Sequence, residues 1–97
     1  MVIIKKTTLS DYAAKNSTVT DAINSWYAIA RKQDWKSFSD IKQTFNSVDA
    51  VGNDRYVFNI KGNSYRLVTM IHFDKRTIYI RFIGTHSEYN KIDCSTI

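Results

Sequence analysis

The stretch that most restricts the fold runs from Arg55 to Ile83, where side chains alternate with period two and the alternation breaks only twice. RYVFNI, SYRLVTMIHF and RTIYIRFI read as three strands, because β-branched and aromatic residues fill them and turn-forming residues separate them. The first break, Lys61-Gly62-Asn63-Ser64, has the Gly-Asn centre of a two-residue hairpin. It pairs Lys61 with Ser64, Asn59 with Arg66 and Val57 with Val68. The second break lies around Asp74-Lys75, and a two-residue loop there pairs Phe73 with Arg76, Arg66 with Ile83 and Val68 with Arg81. Paired residues share a face, so the two turns sort the side chains. One face carries Tyr56, Phe58, Ile60, Tyr65, Leu67, Thr69, Ile71, Ile78, Ile80 and Phe82. The other carries Arg55, Asn59, Lys61, Ser64, Arg66, Met70, His72, Tyr79 and Arg81, with Val57 and Val68 beneath them. A three-residue second turn would move Ile78, Ile80 and Phe82 to the polar face, which favours the shorter loop.

The half before Arg55 reads as helical. Val19, Ala22, Ile23, Trp26, Tyr27 and Ala30 recur at spacings of three and four, an apolar stripe along a helix from about residue 19 to residue 33. Three Ser/Thr-x-x-Asp boxes, Thr8 with Asp11, Thr18 with Asp21 and Ser37 with Asp40, predict helix starts. The third opens a short helix with Ile41 and Phe45 on one face. Met1 to Lys5 reads as a short edge or joining strand. Trp26 and Tyr27 belong to the helix stripe, and Trp35 covers an edge of the core. The expected architecture is α+β: a single domain over residues 1–97, with N-terminal helices on one face of a small antiparallel sheet and a basic face opposite.

Charge narrows the partners. Fourteen Lys and Arg against nine Asp and Glu give a net charge of +5, which favours nucleic acid, the ribosome or an acidic protein. A merely solvated sheet face would carry both signs, yet the three strands hold no Asp or Glu, so phosphate binding is the better account of Arg66 and Arg81. No apolar run reaches membrane-spanning length, and MVIIKK lacks the cleavage region of a signal peptide. The lone Cys94 gives neither a disulfide framework nor a metal site, and the chain reads as cytoplasmic. The two histidines, His72 and His86, have no partners at metal-ligand spacing.

After the third strand, Gly84 lets the chain turn, and His86 and Tyr89 fall three apart, on one side of a helical turn. Histidine exchanges protons near neutral pH, and a tyrosine hydroxyl donates or accepts. Arginines beside such groups suit phosphoryl transfer, where charge develops on phosphate oxygens. The competing structural account makes Tyr89 a cap on the core and His86 a structural histidine.

Three blocks, DWKSFSDIKQTF, YVFNIKGNSYRLV and YIRFIGTHSEYNKI, resemble the HigB-type toxins of bacterial toxin–antitoxin pairs, within the superfamily of RelE-like messenger RNA endonucleases. The resemblance implies helices packed on an antiparallel sheet. It implies ribosome-dependent cleavage of messenger RNA by attack of the ribose 2′-hydroxyl on the adjacent phosphate, with neither metal nor cofactor. It also implies neutralisation by a helix-turn-helix antitoxin of the HigA type. Arg66 then matches the strand arginine on the scissile phosphate, Tyr89 matches a C-terminal tyrosine, and Arg81 on the last strand joins them and His86 in the expected catalytic set. His86 is the proton-transfer candidate, with Tyr89 its partner or rival. Asn59, Lys61 and Lys91 are the candidate RNA-binding groups. Two departures stand out: Asn46 where the family often has Pro, and Asn90 where it often has Asp. The second removes a carboxylate that could orient His86. The same fold also hosts gyrase-directed toxins, and a non-catalytic RNA- or ribosome-binding domain is a further alternative.

Overall fold

In the computed structural model, which describes all 97 residues, five strands form one mixed sheet in the order β1-β5-β4-β3-β2. Its centre is the meander expected from the alternation: β3 (Arg55–Ile60), β4 (Tyr65–His72) and β5 (Thr77–Thr85). Two short strands close the edges. β1 (Val2–Ile4) runs parallel to β5, and β2 (Asp49–Gly52) runs antiparallel to β3. The sequence of β2, DAVG, is too short for a periodic signal. It is held by a hairpin in which Gly52, Asn53 and Asp54 all have positive φ (93, 53 and 61°), a turn in which glycine and Asx residues carry the least strain.

The helices are α1 (Lys6–Lys15), a 3-10 turn (Ser17–Val19), α2 (Thr20–Arg31), α3 (Phe38–Thr44) and the single-turn α4 (His86–Tyr89). α2 buries Ile23, Trp26 and Ala30, the predicted stripe. The three Ser/Thr boxes do not act as caps. Thr8 is the third residue of α1, Thr18 lies inside the 3-10 turn, and the Ser37 side chain accepts no bond at the start of α3. Asp40 instead reaches back to accept from the Lys36 amide at 2.8 Å. Burial sets these starts: the chain enters α1 straight from β1, and the residue before α2, Val19, is fully buried.

Phe58 is the hub of the core. Its ring centroid lies 5.2 Å from Trp26, 5.5 Å from Phe45 and 6.2 Å from Trp35. Trp35 is inside the core rather than at its edge, with its indole N–H donating to Thr44 Oγ1 at 3.1 Å.

The β3–β4 register is the expected one, with Asn59 opposite Arg66 and Val57 opposite Val68. β4–β5 starts as expected, with Ile71 opposite Ile78 and Thr69 opposite Ile80, and then shifts at a bulge. Arg81 is the extra residue, so Val68 faces Phe82, Leu67 faces Ile83 and Arg66 faces Gly84. The expected pairs Arg66–Ile83 and Val68–Arg81 do not form. Beyond the bulge the faces exchange: Ile83 joins the core and Phe82 leaves it. A bulge adds one residue to one strand, and alternation cannot reveal it here because Phe82 and Ile83 are both apolar.

Val57 and Val68 are buried yet lie outside the helix-side core. The segment after α4 is tied back to the start of β3 on this side of the sheet. The Asn53 amide donates to the Ser95 carbonyl at 2.9 Å, and Arg55 donates twice to the main-chain oxygen of Ile97.

Candidate active site

The site forms where β5 ends. Thr85 caps α4 through a reciprocal capping box: its Oγ1 accepts from the Glu88 amide at 3.2 Å, and Glu88 Oε1 accepts from the Thr85 amide at 2.8 Å. Tyr12 of α1 donates to the same carboxylate oxygen at 3.3 Å. The bond from the Thr85 amide is the largest cause that holds the Glu88 carboxyl below its usual range. The T-x-x-E pattern at Thr85–Glu88 was the readable sign of a helix start here. The His86 amide then donates to the Ser64 carbonyl at 3.2 Å, tying α4 to the first hairpin turn.

Gly84 does not turn the chain; it stays inside β5. A Cβ placed there would lie 2.6 Å from the Phe82 ring and 3.1 Å from Glu88 Oε1. A side chain there would have to displace the Phe82 ring, whose far edge folds across the glycine.

Arg66 and Tyr89 come together. The guanidinium carbon lies 6.0 Å from the Tyr89 ring centroid, and Nη1 donates to the Asn63 carbonyl at 3.0 Å. The half-buried Tyr89 hydroxyl donates to Cys94 Sγ at 3.3 Å. Burial, then the bond and charge of Cys94, push the phenol up to about 12, against the opposing pull of Arg66. Tyr89 is therefore a neutral donor at neutral pH. His86 is exposed, with Nδ1 3.1 Å from the Asn90 side-chain amide. An amide, not a carboxylate, is thus the side chain within hydrogen-bond reach of His86 Nδ1.

The other candidates disperse. Asn59 is half-buried beside Arg66 on β3. Lys61 turns toward the helices, and its amine donates to the Thr18 carbonyl at 3.1 Å. Arg81 is exposed at the bulge and opens onto a cleft of about 380 Å³ shared with Thr8, Asp11, Tyr12 and Lys15 of α1. Lys91 is exposed just past α4. Arg55 is taken up by the C-terminal segment. Sequence reasoning missed Tyr12, Glu88, Arg55 and Cys94 as neighbours of the site; of these only Glu88 carried a local signal. His72 stands on β4, edge-on to Tyr79 with centroids 5.5 Å apart. No group of three or more His, Cys, Asp or Glu is placed to hold a metal ion, and no helix is long and apolar enough to cross a membrane.

Fold and cluster define a small α+β protein with helices on one side of its sheet and an arginine, a tyrosine and a histidine gathered at one strand end. The family model for HigB_toxin, the RelE-like toxic component of a toxin-antitoxin system, matches residues 19–92, and the chain belongs to that family. The match runs from the last residue of the 3-10 turn to just past α4. An mRNA interferase HigB of Escherichia coli O6:H1 (strain CFT073) is 27% identical over 94 residues, covering 95% of this chain and 91% of the relative. The mRNA interferase toxin HigB of Escherichia coli K12 is 38% identical over 58 residues, covering 58% of this chain and 56% of that relative. An mRNA interferase HigB of Shigella flexneri matches to the same extent.

Proposed function

We propose that this protein is a ribosome-dependent messenger RNA endoribonuclease toxin, working without metal, in which Arg66, His86 and Tyr89 handle the scissile phosphate. The observation that carries the proposal is the Arg66 guanidinium over the Tyr89 ring, one helical turn from an exposed His86, in a member of a toxin family with relatives named as mRNA interferases. In the reaction the ribose 2′-hydroxyl attacks the adjacent phosphorus, the bond from phosphorus to the 5′ oxygen breaks, and a cyclic phosphate and a 5′-hydroxyl result. Arg66 offsets the charge that grows on the non-bridging oxygens.

The hydrogen bonds support one division of the proton roles. The Asn90 amide can meet either form of the His86 ring. With its Nδ2 on an unprotonated Nδ1, the neutral ring keeps its proton on Nε2; with its Oδ1 toward Nδ1–H, Nε2 is free to take the 2′-hydroxyl proton. A phenol pushed up to about 12 does not serve as a base at neutral pH, so Tyr89 is the donor toward the leaving oxygen, its single proton turning there from Cys94 Sγ while the thiol S–H donates back to the phenol oxygen. Asn59, Lys61, Arg81 and Lys91 would contact flanking RNA. On this proposal the protein acts in the cytoplasm on mRNA held by the ribosome, and a helix-turn-helix antitoxin of the HigA type neutralises it.

The test adds purified protein to translating ribosomes and maps mRNA 5′ ends by primer extension. New ends are expected with the wild type, and Arg66→Ala and His86→Ala should each cut at least about 100-fold more slowly. Absence of new ends, or undiminished cutting by both variants, overturns the proposal. Stalled replication over intact mRNA would instead mark a gyrase-directed toxin. Salt-dependent RNA binding without cleavage would mark a plain binding domain.

A further inference from the structure

We infer that Arg55 is a positioning residue: it anchors the segment Lys91–Ile97 across the sheet face opposite the helices, and that segment, through Cys94, fixes the hydroxyl of Tyr89.

The sequence puts Arg55 among the free cations of a polar face, but the structure gives it a different task. Its Nε and Nη2 both donate to the main-chain oxygen of Ile97, at 3.0 and 2.7 Å, and its Nη1 donates to the Asn53 carbonyl at 2.8 Å. A forked guanidinium is suited to grip one oxygen from two nitrogens, which a lysine cannot do. A second tie lies next to it, where the Asn53 amide donates to the Ser95 carbonyl at 2.9 Å. Between these ties and α4 the segment closes on itself. Asp93 Oδ1 accepts from the Ser95 amide and hydroxyl at 3.1 and 2.7 Å, and the Thr96 amide returns to the Asp93 carbonyl at 3.2 Å. This compact turn presents Cys94 Sγ to the Tyr89 hydroxyl at 3.3 Å. The burial of Val57 and Val68, which the helices do not reach, fits a segment anchored on that face. Tyr89 is thus gripped from two sides, by Arg66 over its ring and by the strap at its hydroxyl. Without the strap, the phenol of a short terminal helix is free to rotate away from the position of a leaving oxygen.

The inference rests on the proposed reaction for its catalytic consequence but not for its structural part, and the experiment separates the two. Three readouts are taken on wild type, Arg55→Ala and Arg55→Lys: the rate of Cys94 labelling by a disulfide reagent, the Tyr89 Cζ resonance in protein carrying ¹³C-tyrosine (assigned with Tyr89→Phe), and kcat and KM for mRNA cleavage. Arg55→Ala is expected to speed labelling at least about tenfold, to move the Tyr89 resonance and to lower kcat about tenfold with KM nearly unchanged. Arg55→Lys should recover part of each. Should Arg55→Ala fail to fold, Asn53→Gly cuts the neighbouring tie without straining a positive-φ position and carries the same expectations. Unchanged labelling or an unmoved Tyr89 resonance overturns the inference. So does a rise in KM at constant kcat, because Arg55 would then be an RNA contact. If the wild type cuts no mRNA, the proposed function fails, and labelling and resonance alone decide whether Arg55 holds the strap on Tyr89.

Discussion

On the helix side of the sheet, Phe58, Leu67, Ile71 and Ile78 are each at most 1% exposed, and they join Trp26, Trp35 and Ile41 in one continuous apolar cluster. On the other side, Val57 and Val68 are buried outside the helix-side core, with Arg55, Asn59 and Arg66 around them and residues 95–97 hydrogen-bonded to Asn53 and Arg55. The first face owes its stability to apolar area and close packing, which penalise almost any change of volume. The second owes its order to a few directional bonds, each worth about 0.5–1.5 kcal/mol. Apart from the buried Val57 and Val68, side chains on that face are therefore free to vary in chemistry at small cost to the fold.

The largest effects should break along this division. Phe58→Ala removes the ring that meets Trp26, Trp35 and Phe45, and about 3–5 kcal/mol of stability should go with it. Urea unfolding measures this, and protein that remains folded should keep its kcat. Arg66→Ala should do the reverse, shifting stability by about 1 kcal/mol or less while cleavage collapses. If Arg66→Ala unfolds the protein as Phe58→Ala does, the two faces are not separable.

Gly84 sits where the faces meet, so it tests the boundary. Gly84→Ala pushes a methyl into the Phe82 ring and against Glu88 Oε1, so both side chains must shift, and overpacking of this kind costs about 1–3 kcal/mol. Cleavage should fall as well, because Glu88 holds the cap that carries His86. Adding Phe82→Leu should restore part of the stability, and a double-mutant cycle reads the coupling. Purely additive effects would show that the ring does not press on the cap.

The same boundary marks how far the sequence could be followed. Gly62-Asn63 fixed the β3–β4 register, and the spacing from Val19 to Ala30 fixed the buried face of α2, because each is a local rule with one solution. The bulge at Arg81 was hidden, since Phe82 and Ile83 are both apolar and either can face inward. That one inserted residue moved Arg81 away from the row of Arg66 toward α1. The strap was hidden for a different reason: Asp93 to Ile97 has no periodicity, and its ties to Asn53 and Arg55 span 42 residues each. The closeness of Arg66 to the residues after Gly84 was legible from strand pairing. The contact of Asn90 with His86 was not, because an exposed amide four residues on carries no pattern that says which neighbour it bonds.

Alkaline pH separates the faces more gently. Tyr12 and Tyr89 both have phenols pushed up to about 12, mainly by burial, from the ordinary 10.0. The unfolded chain loses these protons first, so their contribution is intact below about pH 10 and disappears as pH rises toward 12. Allowing for solvent screening, each should account for about 1 kcal/mol. Tyr89→Phe and Tyr12→Phe should each remove part of the loss between those pH values, as followed by urea unfolding. A slope unchanged in both would mean that the two phenols titrate alike in folded and unfolded chains.

Acid should give the smallest effect, and it isolates the cap. Glu88 is exposed, and its carboxyl is held below the ordinary 4.5 chiefly by the Thr85 amide. The folded protein therefore binds fewer protons than the unfolded chain over that range. The stabilisation is complete above about pH 4.5 and fades as pH falls through the lower folded value. An exposed interaction of this kind contributes only about 0.2–1 kcal/mol, too little to unfold a protein whose apolar face is intact. What it should change is local. Amide exchange at Glu88, Tyr89 and Asn90 should quicken on acidification more than intrinsic chemistry accounts for, while exchange in β4 keeps its normal pH dependence. In Thr85→Ala the same amides should already exchange quickly at neutral pH and respond little to acid, because the reciprocal bonds are half gone. Equal responses in the two proteins would detach α4 from its cap, and the order of the site would then rest on the strap and the hairpin contact of His86 alone.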